Sequence, residues 1–125
     1  MNLEKVAFGF FIVLALTLNV AFVVGDVADA GSHSIWLLFA AVVVNLVATV
    51  LKLGDRSQVG ALLLATALVA DLQLLTSSAI WAFADTSAGL SPGTLVTIVS
   101  LASGALVANV VSVALLVADS LISGR

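Results

Sequence analysis

Four long apolar stretches alternate with short polar ones along this chain, at residues 6–24, 35–53, 59–83 and 95–118. A bilayer's hydrocarbon core, roughly 30 Å thick, is crossed by about 20 residues of apolar helix, and each stretch is long enough. The breaks carry turn and capping residues: Gly25 to Ser34, the turn Gly54-Asp55-Arg56-Ser57, and 85–93 with Pro92. The middle turn is so short that the second and third spans are expected to be antiparallel neighbours. The pattern predicts an all-α fold, an integral membrane four-helix transmembrane bundle, in a single domain over residues 1–125. The charged start, the first apolar stretch and Ala28-Asp29-Ala30 together imitate a cleavable signal peptide. That stretch is longer than a signal-peptide core, so it is expected to persist as the first span.

Composition sharpens this picture. With 62% hydrophobic and 9% charged residues and a mean hydropathy of +1.31, the chain lies outside the range of water-soluble domains. Four basic residues against seven acids leave no basic patch, which excludes nucleic-acid binding. No cysteine occurs, so disulfides, thiolate metal sites and a Cys nucleophile are excluded too.

The bases also give an orientation. Lys5, Lys52, Arg56 and Arg125 all fall at one end of a four-span bundle, while Asp26, Asp29, His33 and Asp85 fall at the other. The positive-inside rule makes the basic end cytoplasmic, with N-in and C-in termini. Trp36 and Trp81 then sit at the outer ends of their spans, where an interfacial aromatic belt belongs.

Polar residues within the spans carry the candidate chemistry. Asp71 lies at the middle of the third span, where insertion of a charged side chain costs about 2.5–3.5 kcal/mol. Arg56 lies fifteen residues before it, roughly 20 Å along a helix axis, so a salt bridge from the basic end is not expected. Asn45, Asn109, Asn19 and Gln73 bring an amide to every span, and with Asp71 they could ligate a hard cation or relay a proton. The bland reading makes the amides interhelical glue and Asp71 a protonated acid bonded to Asn45 or Ser78. A stripe of Ala41, Asn45, Ala48, Thr49 and Lys52 runs inward along the second span, toward a cytoplasmic mouth bordered by Lys52 and Arg56. In the fourth span Ser100, Gly104 and Ala108 recur every four residues and suit close helix packing, while Ala102, Ala105, Asn109 and Ser112 share the other side. Two packing faces on one helix lead us to expect a homo-oligomer.

Other polar residues read as structural. Asp55 is expected to cap the third span, Asp119 to pair with Lys5, Lys52 or Arg56 at the surface, and His33 to be a solvated loop residue. No catalytic triad, metal-ligand cluster or phosphate loop is legible, so neither an enzyme nor a cofactor is expected.

The opening Met1-Asn2-Leu3-Glu4-Lys5-Val6-Ala7-Phe8-Gly9-Phe10-Phe11, continuing to Asn19, and the run from Ala48 through Lys52-Leu53-Gly54-Asp55-Arg56 to Asp71-Leu72-Gln73-Leu74 carry a resemblance. They resemble a family of small, uncharacterised proteobacterial four-span inner-membrane proteins, over roughly the first 83 residues and more weakly along the last span. The resemblance implies a multi-pass protein of the bacterial inner (cytoplasmic) membrane and no activity. The residues themselves point to a small oligomeric channel or transporter component for a monovalent cation or proton, fed by the outer acids Asp26, Asp29 and Asp85. The competing expectation is a non-conducting accessory subunit packed against a larger membrane complex.

Overall fold

In a computed structural model of the protein, residues 3–24, 35–55, 57–84 and 90–123 are described. They form four helices: α1 (Leu3–Val23), α2 (Ile35–Lys52), α3 (Gln58–Phe83) and α4 (Pro92–Ser123). Each helix is long and apolar enough to cross a membrane. Successive helices pack side by side and α4 returns to α1, which gives an antiparallel ring. The start of α1, the α2–α3 turn and the end of α4 therefore share one end of the bundle, hereafter the basic end.

Local chemistry sets the helix ends. Ser57 is the N-cap of α3, its hydroxyl accepting the Gly60 N–H at 2.9 Å. This corrects the expectation for Asp55, which braces the cap from outside: its Oδ1 accepts the Ser57 N–H at 2.8 Å and the Ser57 hydroxyl at 2.7 Å. Ser91 caps α4 by accepting the Thr94 N–H at 3.1 Å, with Pro92 at the first helical position, where a missing N–H costs nothing. That cap starts α4 three residues before the predicted boundary. The helix also continues past 118 to Ser123, and its 32 residues span about 48 Å, more than a bilayer core.

The apolar surface is turned outward. Phe10, Trp36, Leu62, Leu68, Leu72, Phe83 and Val107 are exposed, whereas small and polar side chains fill much of the interior. The buried apolar residues fall into two clusters. One, toward the far end, gathers Phe22, Leu38, Ala41, Leu74, Leu95, Ile98 and their neighbours. The other, toward the basic end, gathers Phe8, Ile12, Ala48 and Leu63. Since lipid tails are as apolar as leucine, burial of such groups does little to hold membrane helices together, and close packing and interhelical hydrogen bonds do more.

Candidate functional site

Between the two apolar clusters lies a polar layer to which every helix contributes. Asn19 of α1, Asn45 and Thr49 of α2, Asp71 of α3, and Asn109 and Ser112 of α4 are all buried. Helical spacing explains the selection. On α2, Leu38, Ala41, Asn45, Ala48, Thr49 and Lys52 repeat at three and four residues along the buried stripe; on α3 the buried set is Gly60, Leu63, Ala67, Ala70, Asp71, Leu74 and Ser77.

Asp71 meets α2 through Thr49, whose hydroxyl hydrogen-bonds Asp71 Oδ2. The same hydroxyl donates to the backbone carbonyl of Asn45 at 2.9 Å. Nearer the basic end, the Thr66 and Ser112 hydroxyls join α3 to α4, with Thr66 also donating to the Leu63 carbonyl at 3.0 Å. Toward the far end, Ser77 reaches the Ile98 carbonyl of α4 at 3.1 Å. By contrast, the exposed hydroxyls of Thr17, Thr76 and Thr97 turn back on carbonyls four residues earlier in their own helices, which satisfies them against lipid.

The amides fall into two kinds. Asn19, with its amide oriented to suit its surroundings, donates to the Ala102 carbonyl at 3.0 Å and accepts the Leu106 N–H at 3.1 Å, tying α1 to one turn of α4. Asn45 donates to the Ala41 carbonyl at 3.2 Å, but its Oδ1 has no partner among the described residues. Asn109 Oδ1, Asp71 Oδ1, Gln73 Oε1 and Ser78 Oγ are likewise buried and unpartnered. An unmet buried acceptor costs about 1–3 kcal/mol, so a group of them invites protons, water or a cation. Among the residues singled out from sequence, Asn45, Asp71 and Asn109 are thus in one layer with spare oxygens, and Asn19 serves as a strut.

Gln73 stands apart. It lines an apolar groove of about 310 Å³ between α3 and α4, with Thr66, Val69, Gly104, Val107 and Ala108 among its walls. Gly104 leaves room there for the Gln73 amide, which would have to shift to accommodate a Cβ at that position. Ala108 is buried and packs within the protomer, while Ser100 faces outward, so the three small residues do not form one continuous contact face.

At the basic end a cavity of about 430 Å³ is lined by Lys5, Lys52, Asp55, Ser57, Gln58, Val59, Gly60, Leu63, Leu116 and Asp119. Lys52 is only 8% exposed. Its ammonium lies 4.5 Å from the centre of the Phe8 ring and 3.3 Å from Asp55 Oδ2. Hydrogen bonds from the Ser57 hydroxyl and N–H, with a smaller contribution from Lys52, hold the Asp55 carboxyl below its usual range. Neither the Thr49 partnership of Asp71 nor the Ser57 cap was found from sequence; the four-residue step from Asn45 to Thr49 hinted at the first, and Ser57 three residues before Gly60 at the second. Arg56, Arg125, Asp26, Asp29, His33 and Asp85 lie outside the described residues.

Four apolar helices closed around a polar layer make this a multi-pass membrane protein. The chain belongs to the family of unknown function DUF6394, which matches residues 32–120. The match shares α2 and α3 with the extent expected from sequence, but it leaves out α1 and takes in nearly all of α4. It matches no curated protein and no solved structure.

Proposed function

We propose that this protein handles protons or monovalent cations within the membrane, as a channel or transporter component, with Asp71 as the binding carboxyl. The observation that carries the reading is the buried Asp71 Oδ1, unpartnered in the same polar layer as the free oxygens of Asn45 and Asn109. Proton inventory supports it further. The Thr49 hydroxyl has one hydrogen and touches two oxygens, the Asn45 carbonyl and Asp71 Oδ2; both contacts are hydrogen bonds when the carboxyl supplies the second proton. Proton release would then leave a carboxylate with nearby acceptors in need of a cation. No bond is made or broken in substrate here, and the protein is not an enzyme on this reading.

The same reading sets the basic end, with Lys5 and Lys52, in the cytoplasm of a bacterial cell and the bundle in its inner membrane, by the positive-inside rule. The test is ion flux into liposomes carrying purified protein, with proton, sodium and potassium gradients imposed separately on wild type and Asp71→Asn. Flux that the substitution abolishes, with the protein still monodisperse, is the expected result. No flux under any gradient would overturn the reading.

One observation favours a second reading. The apolar α3–α4 groove, with Val69, Val107 and Val111 exposed along it, offers a packing surface to a neighbouring helix. In a homo-oligomer a second copy supplies that helix; in an accessory subunit a partner protein does. Gentle solubilisation followed by mass measurement separates the two, because the first gives a multiple of the protomer mass and the second a co-purifying protein that Gln73→Leu sheds.

A further inference from the structure

Among the described residues, Lys52 is the most buried charged side chain of the basic end, and ion binding at Asp71 does not explain it. It lies one turn beyond Thr49 on the same buried stripe of α2, and Thr49 bonds Asp71. The stripe therefore leads from the basic-end cavity to the carboxyl, with the Lys52 side chain at its entrance. The ammonium rests against the Phe8 ring at 4.5 Å and against Asp55 Oδ2 at 3.3 Å. An aromatic face and a carboxylate are what an entering metal cation would seek, and here a tethered cation already occupies them. Among the described residues, the other charged groups around the cavity are Lys5 and Asp119, and Asp55 is taken by Lys52 and Ser57.

Further in, the requirements of a proton and a metal ion diverge. A metal cation stripped of water needs several oxygen ligands at once. Between Lys52 and Asp71 the described residues offer side-chain hydroxyls alone, that of Thr49 on the α2 stripe and the Thr66–Ser112 pair between α3 and α4, with no carboxylate or amide side chain among them. A proton needs a single oxygen at a time, and a hydroxyl both accepts and donates. Resting on the reading of Asp71 as an ion-binding carboxyl, we infer that the ion is the proton and that Lys52 is the specificity-determining residue that keeps metal cations out from the basic end.

The test uses liposomes containing the full chain as wild type, Lys52→Met, Lys52→Arg and Asp71→Asn, with proton, sodium and potassium entry read separately. Wild type and Lys52→Arg should pass protons in an Asp71-dependent way and hold sodium and potassium at background. Lys52→Met, which vacates the site without removing the Asp55 charge, should raise sodium and potassium permeability about tenfold or more, since the Phe8 face and the Asp55 carboxylate are then open to an entering metal cation. Should Lys52→Met fail to fold, Phe8→Leu, which removes only the ring face, should give a smaller rise in the same direction. Asp71-dependent sodium or potassium flux in wild type at the rate of protons would overturn the inference and leave the ion-handling reading intact. So would proton flux that persists in a metal-tight Lys52→Met or Phe8→Leu. Absence of any Asp71-dependent flux in wild type would overturn both.

Discussion

Asn19 and Asn109 are equally buried yet do opposite work. Asn19 satisfies both ends of its amide on the α4 backbone at Ala102 and Leu106, whereas Asn109 Oδ1 is left over. Asn19→Leu should therefore lower bundle stability by about 1 kcal/mol, the scale of an interhelical hydrogen bond in a membrane. Asn109→Leu, of similar volume, removes an acceptor that no described residue meets; it should leave stability unchanged or raise it while reducing ion flux. Reversible unfolding in mixed micelles, run beside the flux assay, checks both, and equal destabilisation by the two substitutions would contradict the assignment. The residue types were legible in the sequence, since an acid or an amide within an apolar span is conspicuous. Their division into strut and spare oxygen was not, because it depends on which backbone groups of another helix come within 3 Å, and that is set by the relative rotation of two helices.

At the scale of elements, the turn between α2 and α3 works as a brace in which Asp55 ties Lys52 to the Ser57 cap. Gly60 lies directly beneath the Asp55 carboxylate, so close that a Cβ there would collide with it. Because Ser57 and Lys52 lower the Asp55 pKa in the folded state, the brace contributes its stability above the unfolded value of about 3.9 and loses it as pH falls through the lower folded value. Wild type should accordingly lose stability below about pH 3.9 relative to its own value at neutral pH. Asp55→Asn should lack this component of the loss, as followed by unfolding across an acid series. The turn itself was legible in Gly54-Asp55-Arg56-Ser57; the capping residue was misassigned because Asp and Ser are equally good caps and their order along the chain does not say which one reaches the Gly60 N–H. The early start of α4 was missed for a related reason, since Pro92 reads as a breaker until Ser91 is seen to place it at the first helical position.

For the whole molecule, the alternation of apolar stretches was enough to give four antiparallel spans, and the structure adds that they close into a ring with greasy flanks and a polar waist. The inside or outside placement of the two ends can be tested directly, because the chain has no cysteine and single cysteines can be introduced at will. Phe83→Cys at the far end and Leu121→Cys at the basic end both stand at exposed positions. In intact spheroplasts a membrane-impermeant maleimide should label the first and not the second; the opposite pattern would invert the proposed orientation.

The polar layer is walled off on both sides, by the cluster around Phe22, Leu38 and Leu74 and by the cluster around Phe8, Ile12 and Leu63. These two walls share no residue, so one can loosen while the other stays shut. On the proposed reading of Asp71, a bundle built in this way would behave less like a pipe than like an airlock, with throughput governed by how often each wall loosens rather than by the width of a bore.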